Sequence, residues 1–440
     1  MTVDAVGATR DRRTLPCAGA FGQAAASALH AGAAALLLAL ALPAHAIVGT
    51  VLNEETLEPV PQAMVTVGDR VVTADDHGRF EHAPAKDACS PVAIGARAPG
   101  FNRMQVSYGP EDSTILLKPV APKGLYLSFY GIGSRVLRNN ALALADKGTV
   151  NALVIDVKGD LGKIPYPTSV PLANEIGART TTTVKDMRAQ VAQLKARGLY
   201  LIARIVVFKD DVLAKARPAL AVRLNGGVFK DREGLQWVDP SRREVWDYNI
   251  AIAEEAAQLG FDEIQFDYVR FPDRRGVAFG VPNTEANRVA AISGFVAAAR
   301  ERLVPYNIFL AVDLFGYVAW NQNDTDIGQT LASLTPHVDY ISMMLYPSGF
   351  QFGIPGHRNP VASSYETVHL TLKRASQRTG LPGVRFRPWL QAFKDYAFDK
   401  RDFGPAELKA QIRASEEFGS SGWLLWNPRN SYTQVSLLTE

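Results

Sequence analysis

From Gly124 onward the chain alternates short apolar runs with amphipathic stretches, and this alternation narrows its fold to a parallel α/β sheet. The runs lie at Gly124–Tyr130, Ala152–Lys158, Tyr200–Phe208, Glu263–Phe271, Ile308–Phe315, Tyr340–Tyr346, Val384–Phe393 and Trp423–Trp426. Between them Val184–Arg197, Arg242–Leu259, Arg288–Leu303, Tyr365–Arg378 and Pro405–Phe418 carry apolar residues at helical spacing. Units of strand, helix and strand pair in parallel through right-handed crossovers. Eight strands over roughly 310 residues predict a (β/α)8 TIM barrel, which typically takes about 250 and more with insertions. An open doubly wound sheet is the competing architecture. Gly131-Ile132-Gly133-Ser134, after the first strand, lacks the third glycine of a dinucleotide turn.

The chain has 440 residues, room for more than a barrel. Residues 47–119 differ in texture from the barrel segment. Short alternating runs at Ile47–Leu52, Ala63–Val67, Arg70–Ala74, Arg79–His82, Val92–Ala96, Met104–Tyr108 and Thr114–Leu117 are broken by Asp75-Asp76-His77-Gly78, Ala98-Pro99-Gly100 and Gly109-Pro110. Strands at this spacing predict a small all-β domain, an antiparallel sandwich. The phrases Val48-Gly49-Thr50-Val51, Pro61-Gln62-Ala63-Met64-Val65, Gly78-Arg79-Phe80 and Ala98-Pro99-Gly100-Phe101 resemble the carboxypeptidase regulatory-like, transthyretin-type sandwich, which implies a spacer or adhesive module. The Pro-rich stretch Lys118–Pro122 marks a hinge across which few contacts are expected, and the barrel domain runs 123–440.

Ahead of the sandwich, Arg10, Arg12 and Arg13 precede the apolar run Ala33–Leu42, then Pro43 and Ala44-His45-Ala46. This is the layout of a secretory signal peptide over 1–46, with cleavage after Ala46 and export to the periplasm or the exterior. The apolar run is shorter than the roughly 20 residues a bilayer span takes, so no membrane span is expected after its removal. Cys17 lies in this leader, which leaves Cys89 without an intramolecular disulfide partner. Past residue 46 the chain carries 44 basic and 42 acidic side chains. That balance argues against nucleic acid as a partner.

A barrel of this class presents its chemistry at the C-terminal ends of the strands, where alternate side chains point inward. On that parity the late inward positions are Asp156 and Lys158, Arg204, Gln265 and Asp267, Asp313, Ser342 with Met344 and Tyr346, Trp389 with Gln391, and Trp426. A barrel built only for stability would place branched aliphatics there. Carboxylates, cations, amides and broad aromatic faces together suit a sugar, whose hydroxyls take hydrogen bonds and whose C–H faces stack on rings. Glycoside hydrolysis needs two flanking carboxyl groups. Asp267 and Asp313, ending adjacent strands, are the candidate catalytic pair. Asp156, Lys158, Arg204, Gln265, Arg270, Tyr346, Trp389, Gln391 and Trp426 are the candidate substrate contacts, with Arg270 the expected charge partner of Asp267.

The histidines form no spaced cluster with carboxylates, so no metal is expected, and no phosphate loop points to a nucleotide cofactor. The expected partner is a polysaccharide or oligosaccharide. A non-catalytic carbohydrate-binding or envelope-scaffold protein would use the same aromatics and donors and is the competing reading.

The phrase Gly260-Phe261-Asp262-Glu263-Ile264-Gln265-Phe266-Asp267-Tyr268-Val269-Arg270-Phe271-Pro272 resembles a bacterial family of glycoside hydrolase type, a domain of unknown function grouped with barrel hydrolases. Val154-Ile155-Asp156-Val157-Lys158-Gly159-Asp160, Trp237-Val238-Asp239-Pro240, Asp313-Leu314-Phe315-Gly316 and Asp339 through Ser348 repeat the likeness in order. It covers nearly all of Gly124 to Asn427. The resemblance implies a barrel glycosidase whose main carboxylate ends the fourth strand, here Asp267. Two positions depart from the pattern. Met343 and Gly349 stand where the family commonly has a proline and a histidine. A chitinase-like reading of the fourth strand would need an acid at Val269.

Overall fold

The computed structural model describes residues 46–82, 93–107 and 113–438. The expected leader as far as His45, both cysteines and the Gly109-Pro110 breaker lie outside the described residues.

Seven strands form the first layer pair: β1 Ile47–Asn53, β2 Met64–Val67, β3 Arg70–Thr73, β4 Arg79–His82, β5 Ala93–Arg97, β6 Met104–Ser107 and β7 Ser113–Leu117. One sheet runs β4-β1-β7 and the other β3-β2-β5-β6. Alternation along these strands puts Val51, Val65, Phe80, Ile94 and Ile115 into one buried core between the sheets. The sandwich is not wholly antiparallel as expected: β1 and β7 pair in parallel, Gly49 beside Ser113 through Asn53 beside Leu117.

The barrel strands are β8 Lys123–Leu127, β9 Ala152–Lys158, β10 Tyr200–Val206, β11 Glu263–Asp267, β12 Phe309–Phe315, β13 Tyr340–Met344, β14 Trp389–Gln391 and β15 Trp423–Trp426. They close as a parallel barrel in chain order, β15 returning to β8. This is the (β/α)8 TIM barrel the alternation predicts. Leu153, Ile155, Val157, Ile264, Phe266, Leu310 and Val312 pack outward under the helices. The opposite parity, including Val154, Ile202, Ala311, Trp389 and Leu424, fills the interior.

Local chemistry sets the element ends. The strand after Asp262 stops at Asp267, short of the expected Phe271, because Tyr268 turns into the left-handed region at φ 49°. The helix Glu285–Leu303 starts earlier than its apolar pattern, where the Thr284 hydroxyl accepts from the Asn287 N–H. Asp186 caps Met187–Ala196 in the same manner.

The hinge expectation does not hold, because the sandwich seals the N-terminal end of the barrel. Buried Arg97 donates to Asn307 Oδ1 at 3.0 Å and lies 3.9 Å from Asp339. The Gly100 N–H donates to the Tyr340 hydroxyl at 2.9 Å, and Arg103 to the Phe261 carbonyl at 2.9 Å. At Gly95 a Cβ would stand 2.5 Å from the Asn307 amide, so only glycine lets the two parts approach this closely. With the bottom closed, the mouth at the strands' C-terminal ends is the accessible end.

Candidate active site

Arg204, mid-barrel on β10 and fully buried, organises the mouth. Its Nη1 donates to Asp156 Oδ1 at 2.6 Å, and its Nη2 to Asp160 Oδ1 at 3.0 Å. Nε and Nη2 both reach Asp267 Oδ2, at 3.0 and 2.6 Å. Its guanidinium lies 4.7 Å over the Trp426 ring and 5.3 Å over Tyr126, which are themselves stacked at 3.9 Å. Burial works against this charge, but Asp156, Asp267 and Asp160 more than offset it, and the guanidinium stays charged. Sequence parity predicts Arg204 facing Asp156 and Gln265, and the ladder pairs it with both.

Asp267 and Asp313 sit side by side. Phe266 pairs with Val312, so the next rung brings these two onto neighbouring strands, which run about 4.8 Å apart in a sheet. Their surroundings differ. Asp267 Oδ1 accepts the Tyr268 N–H at 2.5 Å while Oδ2 is held by Arg204. Asp313, 1% exposed, accepts the Trp389 indole N–H at 2.8 Å, and among the described residues its Oδ2 has no partner. Burial first, then the charge of Asp267, pushes the Asp313 carboxyl well above the usual carboxylate range. One carboxyl is thus bonded to a buried cation, and its neighbour's pKa is raised by a dry, negative environment. Proton donor beside anion is what acid-assisted displacement at a glycosidic carbon requires.

Around this pair, Asp156 accepts from the Tyr126 hydroxyl at 2.7 Å and from the Phe129 N–H, and burial raises it to about 6. Gln265 donates to the Ser342 hydroxyl at 2.9 Å. Tyr346 is half-buried against Phe393, and its hydroxyl is pushed far up by burial and then by Asp313 and Asp267. Trp389 and Trp426 meet edge to face at 5.4 Å.

Three expected contacts lie elsewhere. A β-bulge follows Arg204, whose neighbour Ile205 pairs with Lys158, so Lys158 leaves the inward face. It is buried beneath the barrel wall, donating to Asp210 Oδ2 at 2.6 Å, with Tyr248 at 5.1 Å. Arg270 does not pair with Asp267; it lies across Trp237 and Tyr268. Gln391 is spent inside the wall, donating to the Ser348 hydroxyl at 2.7 Å and accepting the Ser348 N–H. Ser348 in turn donates to Asp395 at 2.7 Å, which fixes the loop after β13. Met343 and Val269 both pack outward in the core, away from the mouth. Gly349 instead lines a 70 Å³ cavity with Tyr346 and Tyr396.

Sequence reasoning missed Tyr126, Asp160 and Tyr268. Tyr126 has the inward parity of the first strand, a strand too short of polar residues to draw notice. Asp160 stands on a loop, where strand parity says nothing. Tyr126, Asp156, Asp160 and Trp426 line a 210 Å³ cavity at the mouth, and Tyr268 lines a separate 440 Å³ cleft with Trp237 and Arg270. Among the described residues no group of three or more His, Cys, Asp or Glu is placed to hold a metal ion.

The profile of a family described as "Putative glycosyl hydrolase domain" matches residues 124–432. A hypothetical protein from Ruminiclostridium thermocellum, known by its crystal structure, is 37% identical over 43% of this chain and 96% of its own, with a TM-score of 0.39. The glycoside hydrolase domain of PgaB (BpsB) from Bordetella bronchiseptica is 14% identical over 73% of this chain and 98% of its own, with a TM-score of 0.54, and shares the fold. No curated protein matches the chain.

Proposed function

Because the chain belongs to the glycosyl hydrolase family whose profile spans residues 124–432, we propose that it is an exported glycosidase that cleaves a polysaccharide at the C-terminal mouth of its barrel. The observation that carries this reading is the neighbouring pair of carboxyls in unlike surroundings, Asp267 clamped by Arg204 and Asp313 buried, its pKa raised by burial and by Asp267. Asp313 donates its proton to the leaving oxygen. Asp267 serves the anomeric carbon as nucleophile, or as the base that deprotonates water. Trp426, half-buried beside the mouth and backed by the stacked Tyr126 ring, is the aromatic edge a sugar would meet.

Export rests on the charge and hydropathy of residues 1–46. Among the described residues no helix is long and apolar enough to cross a membrane. N-terminal sequencing of the secreted protein should begin at Ile47, and a chain still carrying Arg12-Arg13 would refute the leader.

A second reading, carbohydrate binding without turnover, draws on the fact that both Asp267 oxygens already accept hydrogen bonds. Reducing-end release from a panel of bacterial and plant polysaccharides separates the two. Saccharide binding with no release by the wild type, under conditions where the protein is folded, would favour the second.

A further inference from the structure

The 440 Å³ cleft beyond Tyr268 has an electrostatic character that the carboxylate-lined mouth lacks. Lys209, Lys230, Arg232, Arg270 and Arg274 line it, against Asp231, Glu233 and Asp273. Two of the three acids are already engaged. Glu233 binds Lys209 at 2.7 Å. Asp231 accepts the Trp237 indole N–H at 3.0 Å and the N–H groups of Glu233 and Leu235.

Arg270 is the informative member. Its guanidinium carbon lies 4.9 Å from the centre of the Trp237 ring and 5.1 Å from that of Tyr268. Its hydrogen bond is from Nη1 to the Phe271 carbonyl, at 3.1 Å, and no described carboxylate comes within 4.0 Å of it. A half-buried guanidinium stripped of part of its water and given no acid recovers that cost from an incoming oxyanion, whose planar oxygens match its fork. The backbone adds a second sign. Tyr268 holds φ 49°, a costly conformation for a bulky side chain, fixed by its N–H to Asp267 and its carbonyl to the Phe208 N–H. That turn lays the Tyr268 ring beneath both Arg270 and Lys209, one residue beyond the candidate nucleophile.

We infer that this cleft is an anion subsite contiguous with Asp267, so that the substrate is an acidic saccharide bearing a carboxylate or a sulfate ester near the bond that is cleaved. The inference rests on the glycosidase reading for its placement in a reaction, though not for its binding chemistry. Arg270 is then a specificity-determining residue, gripping the oxyanion while Trp237 and Tyr268 hold the guanidinium flat.

The test is binding and hydrolysis by the mature chain on a panel of neutral glucans, polygalacturonate oligosaccharides and sulfated galactan oligosaccharides at low ionic strength. Acidic glycans should bind at least tenfold tighter than neutral ones, with the preference shrinking as salt rises. Arg270→Gln should cut the acidic-over-neutral preference about tenfold, and Lys230→Glu combined with Arg274→Glu, on exposed loops, should cut it without disturbing the ring stack. A loss confined to galacturonates assigns the carboxylate, and one confined to sulfated galactans assigns the sulfate ester. Equal affinity for neutral and acidic glycans, or a preference unmoved by both variants, overturns the subsite while leaving the glycosidase intact. An Arg270-dependent acidic preference with no hydrolysis of any glycan upholds the subsite and sinks the glycosidase.

Discussion

Arg204 gives two of its N–H groups to a single oxygen of Asp267, at 3.0 and 2.6 Å, while a third bond runs to Asp156 at 2.6 Å. The barrel therefore contains one buried cation shared by three carboxylates, with Asp160 the most exposed of them. Asp267→Asn removes the anion but leaves Arg204 with Asp156 and Asp160. Sequence reasoning alone expects a catalytic Asp267 to be replaced with a change of no more than a degree or two in melting temperature, and a structural one with a loss of stability. With the clamp in view, a stability loss of about 1–3 kcal/mol is expected, since a charge-assisted bond is weakened and not wholly stranded. Turnover per folded molecule should fall by about a thousandfold or more if Asp267 acts on the anomeric carbon. Turnover and chemical denaturation measured on the same preparation separate these losses, and full turnover in the folded fraction would remove Asp267 from the chemistry.

Asp313 predicts the shape of the pH profile. A general acid works protonated, and burial together with Asp267 holds its proton to a pH well above the ordinary carboxylate range. kcat/KM should therefore hold through weakly acid conditions and decline as pH rises through the elevated pKa. In Asp313→Asn that declining limb should vanish, with the rate lowered by about 10²–10⁴-fold and least for substrates with good leaving groups. Stability falls with rising pH as well. The native state keeps the proton while the unfolded chain releases it near about 3.9, so wild-type stability drains away as pH climbs through this window. The asparagine variant pays no such cost and should gain on the wild type as pH rises. An unchanged alkaline limb in Asp313→Asn would assign the acid to another group, with Asp156, raised to about 6, next in line.

Much of the fold was legible because the outward positions of the barrel strands are apolar and the alternation holds along most of their length. Asp156, Arg204, Gln265, Asp267 and Asp313 converge as the alternation predicts. What failed did so for local reasons. One bulged rung after Arg204 moved Lys158 out of the interior, and a bulge leaves no trace in hydrophobic pattern. Arg270 follows Tyr268, whose left-handed turn ends the strand and its parity, so spacing from Asp267 no longer indicates direction. Gln391 kept its parity but met Ser348, a partner supplied by a loop that the pattern does not position. The sealed barrel floor was hidden for the same reason. Arg97, Asn307 and Asp339 are far apart in sequence, and nothing local marks them as neighbours.

That floor gives a test of its own. Asn307 sits at φ 46°, donates to the Met104 carbonyl at 3.0 Å and accepts from Arg97. Asn307→Ala loses these bonds and a longer one to the Ala96 carbonyl at 3.4 Å, and adds left-handed backbone strain of about 1–2 kcal/mol. Asn307→Gly loses the bonds alone. All six tryptophans lie beyond residue 236, so indole fluorescence reports the barrel while far-ultraviolet circular dichroism also sees the sandwich. The wild type should unfold with the two signals coincident. In Asn307→Ala, and less so in Asn307→Gly, the circular dichroism transition should move ahead of the fluorescence one. Coincident, unshifted transitions in both variants would mean that the seam adds nothing to cooperativity.

The loop after β14 supplies a pH dependence of opposite sign to that of Asp313. Asp395 accepts the Ser348 hydroxyl at 2.7 Å and the N–H groups of Ala397, Phe398, Asp399 and Lys400 at 2.8 to 3.0 Å. Burial raises its pKa, but these five donors outweigh burial and hold it well below the usual range. A depressed carboxylate contributes stability that is complete above its unfolded value of about 3.9 and is lost as pH falls through the lower folded value. Asp395→Ala should therefore cost about 2–3 kcal/mol near neutrality, because the backbone donors lose a charged acceptor and Ser348 its anchor. The deficit should narrow as pH drops below about 4, where the unfolded chain takes up a proton that the native Asp395 does not. Melting curves of the two proteins between neutral and acid pH read this directly. A gap that stays constant down to the acid limit would show that the loop is held by packing rather than by the Asp395 charge.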